Sequence, residues 1–200
     1  MKYLLFFVLT AYIIRGCTSR SDKAIKKFND INDSLKAANN SVIEINNYGL
    51  IYRTIQQLDR DADAQIVDHA DNLYKAASAA SSYITRLKAQ LMEADSIGDK
   101  TQPAARLLLR TPASDSLRTM LLDIYTASHK CFVGQDSIAQ LDKVLLDIVD
   151  LRNQTDWTSQ YFENSPTVAA ETILSRFEME CAGAASLSFL TVLHQLGRKP

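Results

Sequence analysis

The spacing of apolar residues constrains this chain most, because it keeps the period of an α-helix almost from end to end. From Ile51 to Leu91 the apolar positions recur in steps of three and four, which places them on one face of a helix. An unbroken helix over this stretch would be about 60 Å long at 1.5 Å per residue. Such a length is typical of an elongated bundle or a coiled coil.

The same spacing predicts helices on both sides of the long one. An apolar stripe over 28–45 precedes it, and 46–49 (NNYG) then weakens the pattern as a turn or a kink does. The region 93–114 contains Gly and Pro, which indicate irregular structure. We expect the next helix to begin at Ser114 or Asp115.

Two more helices follow in the prediction. Apolar positions from Ile138 to Ile148 form one that ends before Asn153. The last runs from Pro166 to about Leu196, with Gly197 just past its end, where glycine commonly terminates a helix. Gly and Pro are few in the whole chain, and no strand pattern of useful length occurs. The sequence therefore predicts an all-α fold, an elongated antiparallel helical bundle with one very long helix.

The start of the last helix is marked by the run 161–170, YFENSPTVAA. We expect Ser165 to accept hydrogen bonds from the open N–H groups of the first turn. Pro166 suits the first helical position, because its missing N–H would have no partner there.

Trp157, Tyr161 and Phe162, the aromatic trio, lie directly upstream of this helix. We predict that they pack the incoming chain against the helix. The alternative is an exposed partner surface, because aromatic residues are enriched at the hot spots of protein interfaces.

The run resembles the gliding-motility GldM family, called PorM in secretion systems. In that family the last helix of the first periplasmic domain begins with a Pro-Thr-Val-Ala-Ala-like motif after an aromatic lead-in. A second match is 28–39, FNDINDSLKAAN, where the family carries a Phe-x-x-Ile/Val-Asn-x-Ser-Leu-like stretch. The resemblance covers roughly residues 20–197. It implies motor or ring proteins of a gliding or type IX secretion apparatus as partners, and a homodimer.

The N-terminus is typical of a bacterial lipoprotein. Lys2 precedes an apolar run over 3–14, and Arg15-Gly16-Cys17 follows. The run is too short for a membrane-spanning helix, which needs about 20 residues, and is right for a secretory signal. We predict that Cys17 is lipidated with palmitate and anchors the protein to a membrane. Simple cleavage and a retained anchor helix are the alternatives.

These features divide the chain into a lipoprotein signal peptide over 1–16, a lipid-anchored tether over 17–22 and a GldM N-terminal-like helical bundle domain over 23–197. Members of the resembling family begin with a membrane-spanning helix, and we expect the lipid anchor in its place. Residues 18–22 lack the acidic run of a surface-export signal. The predicted location is therefore the periplasmic face of the outer membrane.

Composition and motifs argue against nucleic-acid binding and against metal sites. The net charge of −1 gives no electrostatic basis for nucleic-acid binding. The segment 59–66, DRDADAQI, imitates a calcium loop, but Ala64 and Ala70 stand where the loop needs Gly and a bidentate Glu. A solvated acidic helix face is the better interpretation. Cys131 and Cys181 are expected to pack as small apolar groups, with a disulfide as the alternative, and two cysteines with scattered histidines make no zinc site.

The histidines do not indicate catalysis. His69 lies on the apolar stripe near Asp68 and Asp71, but no nucleophile or metal ligand accompanies it, so a structural role is favoured. His129 and His194 are near predicted helix ends, which favour positive charge. We therefore predict no catalytic residues and no cofactor, and a protein that is not an enzyme.

The function class that these observations favour is a lipid-anchored interaction or scaffold module, accessory to a gliding-motility or type IX secretion apparatus. The alternative is a periplasmic helical lipoprotein that binds a small ligand between its helices.

Overall fold

A computed structural model of the chain describes residues 23, 25–27, 29–31, 33–34, 37, 48–57, 64–96, 108, 112–132, 135–152, 156–163 and 165–197. Its helices are α1 (Tyr48–Gln57), α2 (Ala64–Ser96), α3 (Pro112–Lys130), α4 (Gln135–Val144), α5 (Leu146–Leu151), α6 (Trp157–Phe162) and α7 (Thr167–Leu196). The described positions between 23 and 37 are also helical, and no strand occurs in the described ranges. The predicted all-α class is confirmed.

Several predictions fall outside this part of the chain. The signal peptide over 1–16, Cys17 and the rest of the tether over 17–22 lie outside the described residues, as do most of the calcium-like segment and part of the match over 28–39.

One very long helix is present, but it is not the unbroken helix over 51–91. The 33 residues of α2 give a length of about 50 Å. The ring of Tyr52 in α1 stacks on that of Tyr74 in α2, with 4.1 Å between centroids. Positions 52 and 74 of one continuous helix would be about 33 Å apart. The apolar stripe is therefore divided between two helices that pack on each other.

The final helix, α7, is the centre of the fold. It contacts each of α1 to α6, and it runs antiparallel to α2, because Lys88 meets Glu178 while Asp95 meets Thr167. A helix that is surrounded on all sides carries buried residues around its whole circumference. In α7 these are Ala169, Ala170, Leu174, Ser175, Phe177, Glu180, Cys181, Ala182, Ala184, Ala185, Ser186, Ser188, Phe189 and Val192.

The start of α7 differs from the prediction by one residue. Pro166 has an extended ψ of 157° and forms the N-cap, so Thr167 is the first helical residue. The Pro166 carbonyl accepts from the N–H groups of Ala169 and Ala170 at 2.9 and 3.1 Å. Ser165 therefore lies before the cap, and its hydroxyl donates to the Tyr161 carbonyl at 3.1 Å. The predicted roles of Ser165 as the cap and Pro166 as the first helical residue were wrong.

Three other predicted helices can be compared with the structure. The third helix begins at Pro112, two or three residues before the predicted start at Ser114 or Asp115, because proline suits the first turn. The helix predicted from 138 to 148 is present as α4 and α5, which are divided at Leu145. The last helix ends at Leu196 before Gly197, as predicted.

Candidate functional site

The aromatic trio docks the short helix α6 on the central helix. Trp157 is 2% exposed and Phe162 is fully buried. The Trp157 ring meets Phe162 and Phe177 edge-on, at centroid distances of 5.8 and 6.4 Å, and Tyr161 lies 5.7 Å from Phe177. These contacts agree with the packing role predicted for the trio. Tyr161 is only half-buried, and it is the member with most surface open to a partner.

Next to the trio, two carboxyl groups are buried beside one arginine. Glu180 of α7 is 5% exposed and Asp147 of α5 is 8% exposed. The Arg176 Nε lies 2.5 Å from Asp147 Oδ2 and 3.7 Å from Glu180 Oε1. We call Asp147, Arg176 and Glu180 the acid cluster. One positive charge thus faces two groups that are both ordinarily negative.

The Glu180 carboxyl also explains why α4 and α5 are separate helices. Its Oε2 accepts from the backbone N–H groups of Asp147 and Ile148, at 3.1 and 3.2 Å. In a continuous helix these two N–H groups would donate to the carbonyls four residues earlier. The neighbouring bonds from Leu145 to Leu141 and from Val149 to Leu145 keep that spacing. A side chain inserted into the backbone ladder is a recognised cause of a helix break.

Burial shifts the protonation of the acid cluster. The pKa of Glu180 is raised to about 7, chiefly by burial and then by the nearby Asp147 carboxyl, while the backbone N–H groups and Arg176 act in the lowering direction. Burial also raises the pKa of Asp147, although Arg176 and a hydrogen bond with Glu180 act in the opposite direction. The pKa of the Tyr161 hydroxyl is raised as well, chiefly by burial and then by Asp147.

Apart from the aromatic trio, no residue of this region was predicted from the sequence. One signal was present: Glu180 stands among small and apolar residues, and Arg176 precedes it by one helical turn. A charged residue on an otherwise apolar helix face is rarely buried without a partner. The partner Asp147 lies on a separate helix and has no marker in the sequence.

The two cysteines of the described region are separate free thiols, both buried. Burial raises the pKa of the Cys131 thiol to about 12, and it also raises the pKa of Cys181. Neither thiol is reactive near neutral pH, because the thiolate is the nucleophilic form. The cysteines pack as apolar groups, and the alternative disulfide is not formed.

The histidines lie at the positions in the helices that were predicted for them. His129 is in the last turn of α3, where its Nδ1 is 2.7 Å from the Tyr125 carbonyl and its Nε2 is 3.0 Å from Asp142. His194 is in the last turn of α7, and His69 is half-buried. Within the described ranges, no three His, Cys, Asp or Glu residues are placed to hold a metal ion. No helix of those same ranges combines the length and the apolar character needed to cross a membrane.

A known protein family matches most of the chain. The family model described as GldM N-terminal domain matches residues 24–193, which is most of the chain. The match contains α2, the aromatic lead-in and all but the last three residues of α7. No curated protein matches the sequence. The chain belongs to the GldM N-terminal domain family, a cell-envelope family related to gliding motility and type IX secretion.

Proposed function

We propose that this protein is a non-enzymatic, lipid-anchored interaction module in the periplasm, accessory to a gliding-motility or type IX secretion apparatus. The family match over residues 24–193 is the observation that carries the proposal. The domain would act by presenting a helical surface to motor or ring proteins, or to a second copy of the chain. The lipid on Cys17 would hold it at the periplasmic face of the outer membrane.

The packing of the fold supports a scaffold role. The buried residues form one continuous apolar core, in which α7 contacts each of α1 to α6. A partner bound to one of the outer helices would therefore be connected through α7 to all the others. Tyr161, half-buried on α6, is the residue of the aromatic trio that we propose as a contact for a partner.

Affinity purification tests the function. The full chain carrying a C-terminal tag is cross-linked in the cells that make it and purified from detergent-solubilised membranes. We expect motor or ring components of the apparatus to be recovered with it, and fewer of them with Tyr161→Ala. Gln160→Ala is the matched control, because Gln160 is exposed on the same helix. Recovery of a tightly bound small molecule, without any apparatus component, would favour the ligand-binding alternative.

The anchor requires its own test. Cys17→Ala should abolish metabolic labelling with palmitate and leave the precursor uncleaved or wrongly cleaved, because the cysteine is the site of lipid attachment. Labelling and membrane fractionation of the wild-type and variant proteins give the answer. Cys131→Ala is the control, since Cys131 is buried and should not affect labelling. A Cys17→Ala protein that still labels and still fractionates with membranes would show that the anchor prediction is wrong.

A further inference from the structure

We propose that Glu180 is a proton-dependent latch, which holds the segment from α5 to α6 on the central helix when it carries a proton and loosens that segment when it is ionised. The latch consists of the acid cluster and the two backbone N–H groups at the break between α4 and α5. What it controls is the exposure of the aromatic trio. The latch would regulate the fold from within, and it would work in the same way whichever apparatus the protein serves.

The charge balance of the acid cluster favours a proton on Glu180. With a proton on Glu180, the buried cluster holds one carboxylate on Asp147 and one guanidinium on Arg176, which neutralise each other. Loss of that proton to solvent leaves two buried carboxylates against one cation. That cation is 48% exposed, so water screens much of its attraction. Two carboxyl groups that share a site disfavour the doubly ionised state.

The hydrogen bonds around Glu180 also accommodate a protonated carboxyl. The protonated carboxyl keeps its carbonyl oxygen, and Glu180 Oε2 is the atom that accepts from the N–H groups of both Asp147 and Ile148. Its other oxygen, Oε1, lies 3.3 Å from the Asp147 backbone nitrogen, and it can carry a proton for the side-chain hydrogen bond between Glu180 and Asp147. The protonated state therefore keeps the bonds from the two N–H groups and joins the two carboxyl groups. Repulsion between the carboxylates opposes this arrangement once the proton is lost.

The groups facing Glu180 come from each element packed around it in the described part of the chain. They are Asp147 on α5, Tyr161 on α6, and Arg176 and Cys181 on α7 itself. Asp150 of α5 adds a further negative charge that acts on Asp147 and Tyr161. Tyr161 and Cys181 are neutral at neutral pH, because burial raises both of their pKa values. The pKa of Asp147 is raised as well, so the variable charge of this group between neutral and mildly acidic pH is the proton held between Glu180 and Asp147.

The direction of the pH effect follows from linkage. Burial and, after it, the Asp147 carboxyl raise the pKa of Glu180 from 4.5 to about 7. Between these values the closed segment binds more protons than the opened segment, so acidification favours the closed state. In this window the ratio of opened to closed segment rises by at most about tenfold for each pH unit. Above the upper value the ratio no longer changes with pH.

The chain contains a built-in reporter for this motion. Trp157 is its one tryptophan, and it is 2% exposed on α6. Acrylamide quenching of its fluorescence measures access of solvent to the trio, while hydrogen exchange of the α5 and α6 amides, corrected for intrinsic rates, measures opening. Both are recorded on the full chain in detergent, from about pH 5 to about pH 8, the interval that contains the titration.

We expect quenching and exchange of α5 and α6 to increase with pH, with a midpoint at about pH 7, while the far-ultraviolet circular dichroism stays constant. Glu180→Gln should abolish this pH dependence, because the amide keeps the acceptor oxygen and cannot ionise. Glu163→Gln, at an exposed position after α6, removes the same charge and should leave the dependence intact.

If quenching and exchange of the wild-type protein do not change with pH, the latch proposal is wrong, whatever the variants show. An unchanged pH dependence in Glu180→Gln also overturns it. If helical signal is lost together with Trp157 burial as the pH rises, global unfolding replaces local opening and the proposal fails. Should Glu180→Gln not fold, Asp147→Asn provides the second variant, and a pH dependence that it leaves unchanged contradicts the proposal.

Discussion

At the scale of single residues, Leu87 represents the apolar stripe of α2. Its side chain is 1% exposed, between the fully buried Ile84 and Leu91. Three residues further on, Gln90 is exposed. The two positions differ in burial within one turn of one helix, which makes them a matched pair.

Leu87→Ala should lower the free energy of unfolding by about 2–5 kcal/mol, because truncation removes buried surface and leaves a cavity. Gln90→Ala is the control and should change it by less than about 0.5 kcal/mol. Denaturant titration followed by circular dichroism measures both. Equal effects at the two positions would contradict the burial of this face.

Single residues also explain what the sequence could not predict. The break between α4 and α5 has no glycine or proline at Leu145. Its cause is the carboxyl of Glu180, a side chain that is distant in sequence and close only in the fold. Local patterns carry no information about such a contact, whereas the buried stripe of α2 and the end of α7 at Gly197 are local and were predicted.

At the scale of elements, α6 shows how a short helix is held. A six-residue helix has too few internal hydrogen bonds to be stable alone, so its position depends on side chains. Trp157 and Phe162 supply those contacts by packing on each other and, through Trp157, on Phe177. The aromatic lead-in was predicted from its position before α7, and the structure adds the residue on which it packs.

The double substitution Trp157→Ala with Phe162→Ala should lower the melting temperature markedly, because each truncation of a buried aromatic costs about 3–5 kcal/mol. Gln160→Ala with Glu163→Ala, both at exposed positions of the same segment, is the control pair. Thermal unfolding is followed by far-ultraviolet circular dichroism. Unchanged stability combined with loss of partner binding would instead identify the trio as a recognition surface.

At the scale of the whole molecule, α7 links the other helices. It contacts each of α1 to α6, and the buried apolar residues form one cluster that spans them. A fold with one shared core is expected to unfold in a single cooperative transition.

We therefore expect denaturant curves from far-ultraviolet circular dichroism and from Trp157 fluorescence to coincide at about pH 5, below the raised pKa of about 7 at Glu180. Circular dichroism should also be dominated by helix. Repeating the measurement with Leu87→Ala is the control, since it should shift both curves together. Separate midpoints at this pH would show that α6 is not part of the common core.

The position of α7 in the chain has a consequence for biogenesis. It follows α1 to α6 in sequence, yet those helices bury their apolar faces against it. A chain that is synthesised from its N-terminus exposes α1 to α6 before α7 exists, and domains generally fold as units. The apolar faces that α1 to α6 bury against α7 therefore lack that partner until the last long helix has been synthesised.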